Sequence, residues 1–290
     1  SDTEVLLHML ICFKEAAIEK LNGMFAFVFH DSKDNTWIAS RDHFGIKPLY
    51  YSTIKNELLF VSEIKALLAH PEFEPKRDEH SLHHYISFQF CLDERTLFEN
   101  VFKIKPGHFL IGQGPKILQD RCYWNTKYHV NDDHNETYFQ DELLSLLKDS
   151  LRLQIRSDVP LGGYLSGGID SSLVCKLASE FLDEPMPTFH GRFAEGPQYD
   201  ESEYAKAMVD YAKCDYFEVI PTADEFVSDI PKLIEAIDEP LAGPGLFPQY
   251  AVSKLAKEHV TVVLGGQGGD EIFSGYARYL VGYLEQALKG

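Results

Sequence analysis

The residues best suited to chemistry gather in two glycine-rich runs. The first, Leu165-Ser166-Gly167-Gly168-Ile169-Asp170-Ser171-Ser172, lies between an apolar stretch that reads as a strand (161–165) and a helical pattern over 171–181. Glycines let backbone N–H groups approach a ligand closely, and a helix starting there adds unsatisfied donors and a positive dipole end. Ser166, Ser171 and Ser172 add hydroxyl donors, so the run suits an anion, a phosphate or pyrophosphate. Asp170 would repel such a group unless a cation bridges them. Mg²⁺, an oxygen-seeking ion commonly shared between carboxylate and phosphate oxygens, resolves the conflict. No lysine follows the glycines, which excludes an ordinary P-loop NTPase here. The second run, Leu264-Gly265-Gly266-Gln267-Gly268-Gly269-Asp270-Glu271, follows another strand pattern at 260–264. Ligands of open α/β sheets bind beyond the carboxyl ends of strands. Two such loops would line one cleft, with Asp170 and Asp270 holding the same Mg²⁺.

The elements that must position these loops follow from periodicity. Residues 137–154, 171–181, 201–212 and 248–258 read as helices, alternating with strands at 161–165, 187–190, 216–220 and 260–264. Strand, helix, strand in repetition means a parallel sheet with helices on its faces. Thr222-x-x-Glu225 is a capping box, and Pro231 is expected to divide the region after it into two short helices. The front of the chain differs. An amphipathic helix over 3–21 stops at Asn22-Gly23, short strands follow at 24–29, 36–40, 50–51 and 58–61, and 105–111 reads as a turn feeding a strand. This is an α+β pattern over 1–125. Polar, aperiodic residues over 126–136 read as the linker, and 137–290 is the second domain.

Length and charge bound the remainder. The 290 residues allow two domains at about 150 residues each. A net charge of -18 (27 basic against 45 acidic residues) disfavours general nucleic-acid binding. No apolar run approaches the roughly 20 residues of a membrane span. Five cysteines, an odd number and widely spaced, read as free thiols of a cytoplasmic protein rather than a disulfide framework or structural zinc site. The chain begins at Ser1 without a lead-in and stops shortly after a helical pattern begins, so both ends are expected to be internal to a longer protein.

These motifs carry a resemblance. Ser-Gly-Gly-Ile-Asp-Ser-Ser at 166–172 is similar to the pyrophosphate loop of the N-type ATP pyrophosphatases. Together with Ser157-Asp158-Val159-Pro160-Leu161-Gly162 and Gly-Gly-Asp-Glu-Ile-Phe-Ser-Gly-Tyr at 268–276, it resembles the glutamine-hydrolysing asparagine synthetases. The front agrees: Ser1-Asp2-Thr3-Glu4-Val5, Leu21-Asn22-Gly23-Met24-Phe25-Ala26-Phe27, the run from Arg41 to Tyr51, and Pro106-Gly107-His108 look like that family's glutaminase domain. The resemblance implies the back part of an α+β, Ntn-type, β-rich sandwich glutaminase domain. The front part of an α/β parallel-sheet ATP pyrophosphatase domain, adenine nucleotide α-hydrolase-like, follows it. It implies ATP-dependent amidation of aspartate through β-aspartyl-AMP, with ammonia from glutamine. The partners are aspartate, glutamine or ammonia, and ATP with Mg²⁺; a homodimer is left open.

Carried over by position, Ser166, Gly167, Gly168, Asp170, Ser171 and Ser172 form the pyrophosphate loop. Tyr164, Leu165, Gly191, Gly265 and Gly266 contact the nucleotide, and Asp170 and Asp270 hold Mg²⁺. Gln267, Glu271 and Tyr276 lie at the substrate end, and Asp2 binds the α-amino group of glutamine. Two departures matter. No cysteine is N-terminal, so the chain as given is not expected to hydrolyse glutamine. Gln267 stands where well-known members carry Glu, and an amide cannot accept a proton as a general base. A related enzyme acting on another carboxylate, one that closes a β-lactam ring for example, therefore stays open, as does a catalytically silent piece. His80, His83 and His84 have helical spacing for a metal but no evident carboxylate or thiol partner, and are expected on a solvated helix face. Arg41-Asp42-His43 is expected to fix the turn after the first hairpin.

Overall fold

The computed structural model describes residues 1–130, 133–194, 196, 200–239, 243 and 245–289; Asn131 and Asp132 of the expected linker, and Gly290, lie outside them. The chain divides into two compact units, Ser1–Val130 with Ile234–Gly243, and Asn131–Leu233 with Pro244–Gly290.

The first unit opens on α1 (Asp2–Phe13), where Ser1 and Glu4 form a reciprocal capping box. The single helix expected over 3–21 is not continuous. Lys14 turns the backbone at φ 53, and Lys14–Lys20 continue as a 3₁₀ helix that buries Ala17 and Ile18. Strands β1 (Ala26–Asp31), β2 (Thr36–Arg41), β3 (Tyr50–Ile54), β4 (Glu57–Val61), β5 (Val101–Lys103), β6 (His108–Gln113) and β7 (Lys116–Cys122) build two antiparallel sheets. Their orders are β1-β2-β6-β7 and β4-β3-β5. Alternation along β2 decides the layering. Ile38, with Phe109 of β6, packs on Leu10 and Ile18, whereas Trp37 and Ala39 turn to the opposite cluster with Leu110, Leu49, Tyr51 and Phe60. The four-stranded sheet is thus covered by helix on one face and by the three-stranded sheet on the other. Asp42, 1% exposed, fixes the turn after β2 as expected. It accepts from the backbone N–H groups of Phe44, Ile46, Lys47 and Phe25 while Arg41 donates to the Gly45, Lys47 and Ile104 carbonyls.

Helix α2 (Glu79–Phe88) is capped by Asp78, which accepts from Ser81 N–H at 2.7 Å and pairs with Arg95 at 3.1 Å. His80 and His84 stack edge to face on it, and no group of three or more His, Cys, Asp or Glu able to hold a metal forms among the described residues. The segment Ile234–Gly243 belongs to this unit through two acidic side chains. Asp238 accepts from the N–H groups of Ile64 and Lys65, and Glu239 binds Lys103 Nζ at 2.8 Å and the Tyr50 hydroxyl at 3.1 Å.

The second unit follows the alternation read from the sequence: α3 (Glu136–Gln154), β8 (Leu161–Tyr164), α4 (Ile169–Ser179), β9 (Pro187–Gly191), α5 (Ser202–Ala212), β10 (Asp215–Val219), α6 (Ala223–Ala236), α7 (Leu246–Ala256), β11 (Val262–Leu264), α8 (Gly269–Phe273) and α9 (Ala277–Lys289). The sheet is parallel, in the order β10-β9-β8-β11. Leu165, Cys175, Met186 and Ala205 fill one side of it, and Phe189, Val252, Ala256 and Val260 the other. The capping box forms, with Thr222 and Glu225 exchanging hydrogen bonds, but the helix it opens is not divided at Pro231. Proline at 231 cannot donate to the Val227 carbonyl, yet Ala223–Ala236 runs through it as one helix, forgoing that single backbone hydrogen bond. No described helix is long and apolar enough to cross a membrane.

Candidate functional site

Strand order places the site. From β8 the chain steps outward through β9 to β10, and then returns to lay β11 on the other side of β8. The order therefore reverses at the carboxyl ends of β8 and β11, where open α/β sheets bind ligands. The two glycine-rich runs leave the sheet at these two ends.

The first run folds around its own hydroxyls. Ser166 N–H donates to Ser171 Oγ at 3.1 Å, Gly168 N–H donates to Ser166 Oγ at 3.2 Å, and Ser171 Oγ donates to the Gly168 carbonyl at 3.2 Å. Gly167 sits at φ +91, and a Cβ there would meet the Glu201 carbonyl at 2.8 Å, so both conformation and space demand glycine. Gly168 caps α4 without any side-chain hydrogen bond, so no side chain caps the N–H groups of its first turn. Ser172 N–H is already committed to the Gly168 carbonyl as part of the helix.

The second run closes on the first. A Cβ on Gly266 would meet Ser171 N at 2.7 Å, and one on Gly269 would meet Asp170 Oδ2 at 2.3 Å. Asp170 thus lies against the backbone immediately before Asp270. The Asp270 carboxylate faces Gly275, where a Cβ would strike Oδ1, and its carbonyl accepts from Gly275 N–H at 3.0 Å. Two carboxylates on touching loops, beside a helix start and serine hydroxyls, fit a cation shared with phosphate oxygens. Mg²⁺ is typically held by one or two carboxylates while the phosphates supply the remainder.

Beside the loops lies a cavity of about 400 Å³, lined by Tyr164, Leu165, Ser166 and Gly191 together with Phe189, Phe193, Glu201, Gly245, Pro248, Gln249 and Val252. The structure thus brings four of the nucleotide-side residues read from the sequence to one wall. Gly191 is packed so tightly on Val252 that a Cβ would lie 2.8 Å from its Cγ2. Sequence reasoning missed Gln249 and Ser253. Gln267 Nε2 donates to Gln249 Oε1 at 3.4 Å, and the Tyr164 hydroxyl shares a 2.8 Å hydrogen bond with Ser253 Oγ. The signal available was their i, i+4 spacing on one helix. Glu271 and Tyr276 pair apart from this wall, the Tyr276 hydroxyl donating to Glu271 Oε1 at 2.8 Å. That bond holds the Glu271 carboxyl below its ordinary range and raises the phenol.

In the first unit, Asp2 lines a separate cavity of about 620 Å³ with Asn22, Gly23, Met24, Lys47 and Ser62 among its walls. Its Oδ1 accepts from Thr3 N–H at 2.7 Å.

A glycine-rich loop before a helix start, two carboxylates and an adjoining cavity meet at a switch point of a parallel α/β sheet. Comparison with known proteins makes this specific. The family model described as asparagine synthase matches residues 142–289, and that of a glutamine amidotransferase domain matches residues 1–124. The chain belongs to the asparagine synthase family. It is 37% identical over 279 residues to asparagine synthetase [glutamine-hydrolyzing] 1 of Bacillus subtilis, covering 96% of this chain and 44% of that protein. It is 36% identical over 291 residues to putative asparagine synthetase [glutamine-hydrolyzing] 2 of Methanocaldococcus jannaschii, covering 98% and 55%. It is 30% identical over 303 residues to amidase chry2 of Gibberella zeae, covering 99% and 45%. The chain spans about half the length of these curated relatives.

Proposed function

We propose that this chain is part of an asparagine synthetase that activates the side-chain carboxylate of aspartate with ATP and passes it to ammonia released from glutamine. The observation that carries the reading is the meeting of the two loops at the switch point, with Asp170 held against Gly269 beside Asp270. In such a reaction a carboxylate oxygen attacks the α-phosphorus, the bond to the bridging oxygen breaks, and pyrophosphate leaves with the electron pair. Negative charge grows on that leaving group. The N–H groups at the start of α4 would stabilise that charge, with the Ser166 hydroxyl bracing the loop through Gly168 and Ser171, which is how preorganised dipoles lower such a barrier. Asp170 and Asp270 would hold Mg²⁺, which neutralises phosphate charge when bound. Ammonia then displaces AMP from the acyl-adenylate and forms the amide.

Gln267 takes no proton. Its amide, tied to Gln249, orients ligand at the junction of loop and cavity, and Glu271 and Tyr276 serve the acyl substrate. The first unit is read as Ntn-type glutaminase structure, with Asp2 receiving the α-amino group of glutamine. This extends the family assignment to the domains 1–125 and 137–290.

Calorimetric titration of the chain with Mg-ATP tests the site, and Asp170→Asn is expected to abolish binding; wild-type and variant affinities that agree would sink the reading. On the full-length protein, aspartate and ammonia should yield AMP and pyrophosphate, whereas ADP and phosphate would contradict it. A second acyl substrate is favoured by one observation, the neutral Gln267–Gln249 pair at the reacting end. A screen of carboxylates for pyrophosphate release separates the two: the best substrate is aspartate on the first reading and another acid on the second.

A further inference from the structure

We propose that His190 is a positioning residue for the loop after β8, acting through the carbonyl of Leu165. This inference rests on the reading of that loop as a nucleotide site. The β8–β9 ladder pairs Gly163 with Thr188 and Tyr164 with Phe189. Beyond it, Leu165 is held twice by adjacent residues of β9. Its N–H donates to the Phe189 carbonyl at 2.9 Å, and its carbonyl accepts from His190 Nδ1 at 2.7 Å. The imidazole thus extends the ladder by one bond at the residue from which Ser166, Gly167 and Gly168 depart.

A carbonyl only accepts, so Nδ1 carries a proton and is the donor of this bond. His190 is 2% exposed, and Nε2 is buried with no hydrogen-bond partner among the described residues. An apolar ring would avoid that penalty, so packing alone does not account for histidine at this position. The bond to Leu165 does. Tyr216 stacks on the ring at 6.0 Å, and its own hydroxyl is fixed by Glu218 at 2.6 Å, which sets the imidazole plane. Without the clamp the Leu165 carbonyl is free to turn, and the donors of the loop point at phosphate for only a fraction of the time. Apparent affinity falls by that fraction.

The test exploits geometry. Asparagine places an amide nitrogen where Nδ1 lies, glutamine where Nε2 lies. Mg-ATP affinity of the chain is measured by calorimetry for wild type, His190→Asn, His190→Gln and His190→Leu, together with amide hydrogen exchange over 165–168 without nucleotide. The Gln and Leu variants should bind about tenfold more weakly, as expected for one lost buried hydrogen bond, with faster exchange in the loop, and Asn should restore both. Equal behaviour of Asn and Gln, or an unchanged exchange rate in the Leu variant, would overturn the proposal. The two amides differ by one methylene, so the comparison survives should the Leu variant fail to fold. If the exchange order holds while wild type binds no Mg-ATP, it is the nucleotide reading that fails.

Discussion

Asp170, Gly269 and Cys175 show how much single side chains decide. A methyl group at 269 would occupy space 2.3 Å from Asp170 Oδ2, so Gly269→Ala must displace the carboxylate. The expected outcome is about tenfold weaker Mg-ATP binding, the worth of one charge-assisted contact, with thermal stability nearly unchanged. Calorimetry and a melting curve on the same sample check both halves. Cys175 is buried, and burial pushes its thiol from 9.0 up to about 12. A thiol raised in the folded state adds stability that is complete below pH 9 and is lost as pH climbs toward 12. Cys12 and Cys122 are exposed. At pH 8 a thiol reagent should label those two at once and leave Cys175 and the buried Cys91 unlabelled until the chain is unfolded. Rapid labelling of Cys175 would contradict its placement. The cysteine count pointed to free thiols, but which of them water reaches depends on packing.

At the scale of elements, caps and turns were readable because they are local. Thr222 and Glu225 are three residues apart, as are Ser1 and Glu4, and the bonds they make need no other part of the chain. Asp78 is a simpler N-cap, accepting from Ser81 N–H with no reciprocal bond. Asp78→Ala should cost about 1 kcal/mol of stability to chemical denaturation, the usual worth of an N-cap. The docking of Ile234–Gly243 was not readable, because its partners at Tyr50, Ile64 and Lys103 lie far off in sequence. Lys103, 15% exposed, depends on Glu239 as its carboxylate partner. Glu239→Gln leaves a nearly buried ammonium without its counter-charge and should lower the stability of the first unit by about 1–3 kcal/mol. The double variant with Lys103→Met should recover part of the loss, and urea unfolding measures it. The long helix expected over 3–21 failed for a related reason: apolar periodicity persists past Phe13, but burial of Ala17 and Ile18 favours a break at Lys14.

Over the whole molecule, charge sets the response to solvent. With a formal charge of -18, self-repulsion opposes compaction, so stability should rise as NaCl is increased from about 0.02 to 0.3 M. Acid acts through particular groups. Burial raises the Glu218 carboxyl, but the Tyr216 hydroxyl and Arg192 bind it and the net effect is a value below the ordinary 4.5. A depressed carboxyl contributes stability that is present above pH 4.5 and is lost as pH falls through the lowered value. Glu218→Gln should flatten the loss of stability between pH 5 and 3 seen by urea titration; an unchanged slope would show that other carboxylates carry it.

The sequence by itself determined the alternation of strand and helix in the second unit, the two glycine-rich loops, and the family to which the chain belongs. Periodicity, turn residues and motif order are properties of neighbours along the chain, and each favours one local conformation whatever surrounds it. Tertiary structure alone decided that Asp170 meets Gly269, that Gln249 receives Gln267, that His190 holds Leu165, and that Asp238 and Glu239 return to the first unit. These contacts join residues whose separation in sequence carries no period. The first three exist because β11 and β9 both pair beside β8 and α7 packs against β9, and such pairing is selected by burial and hydrogen bonding summed over a whole layer.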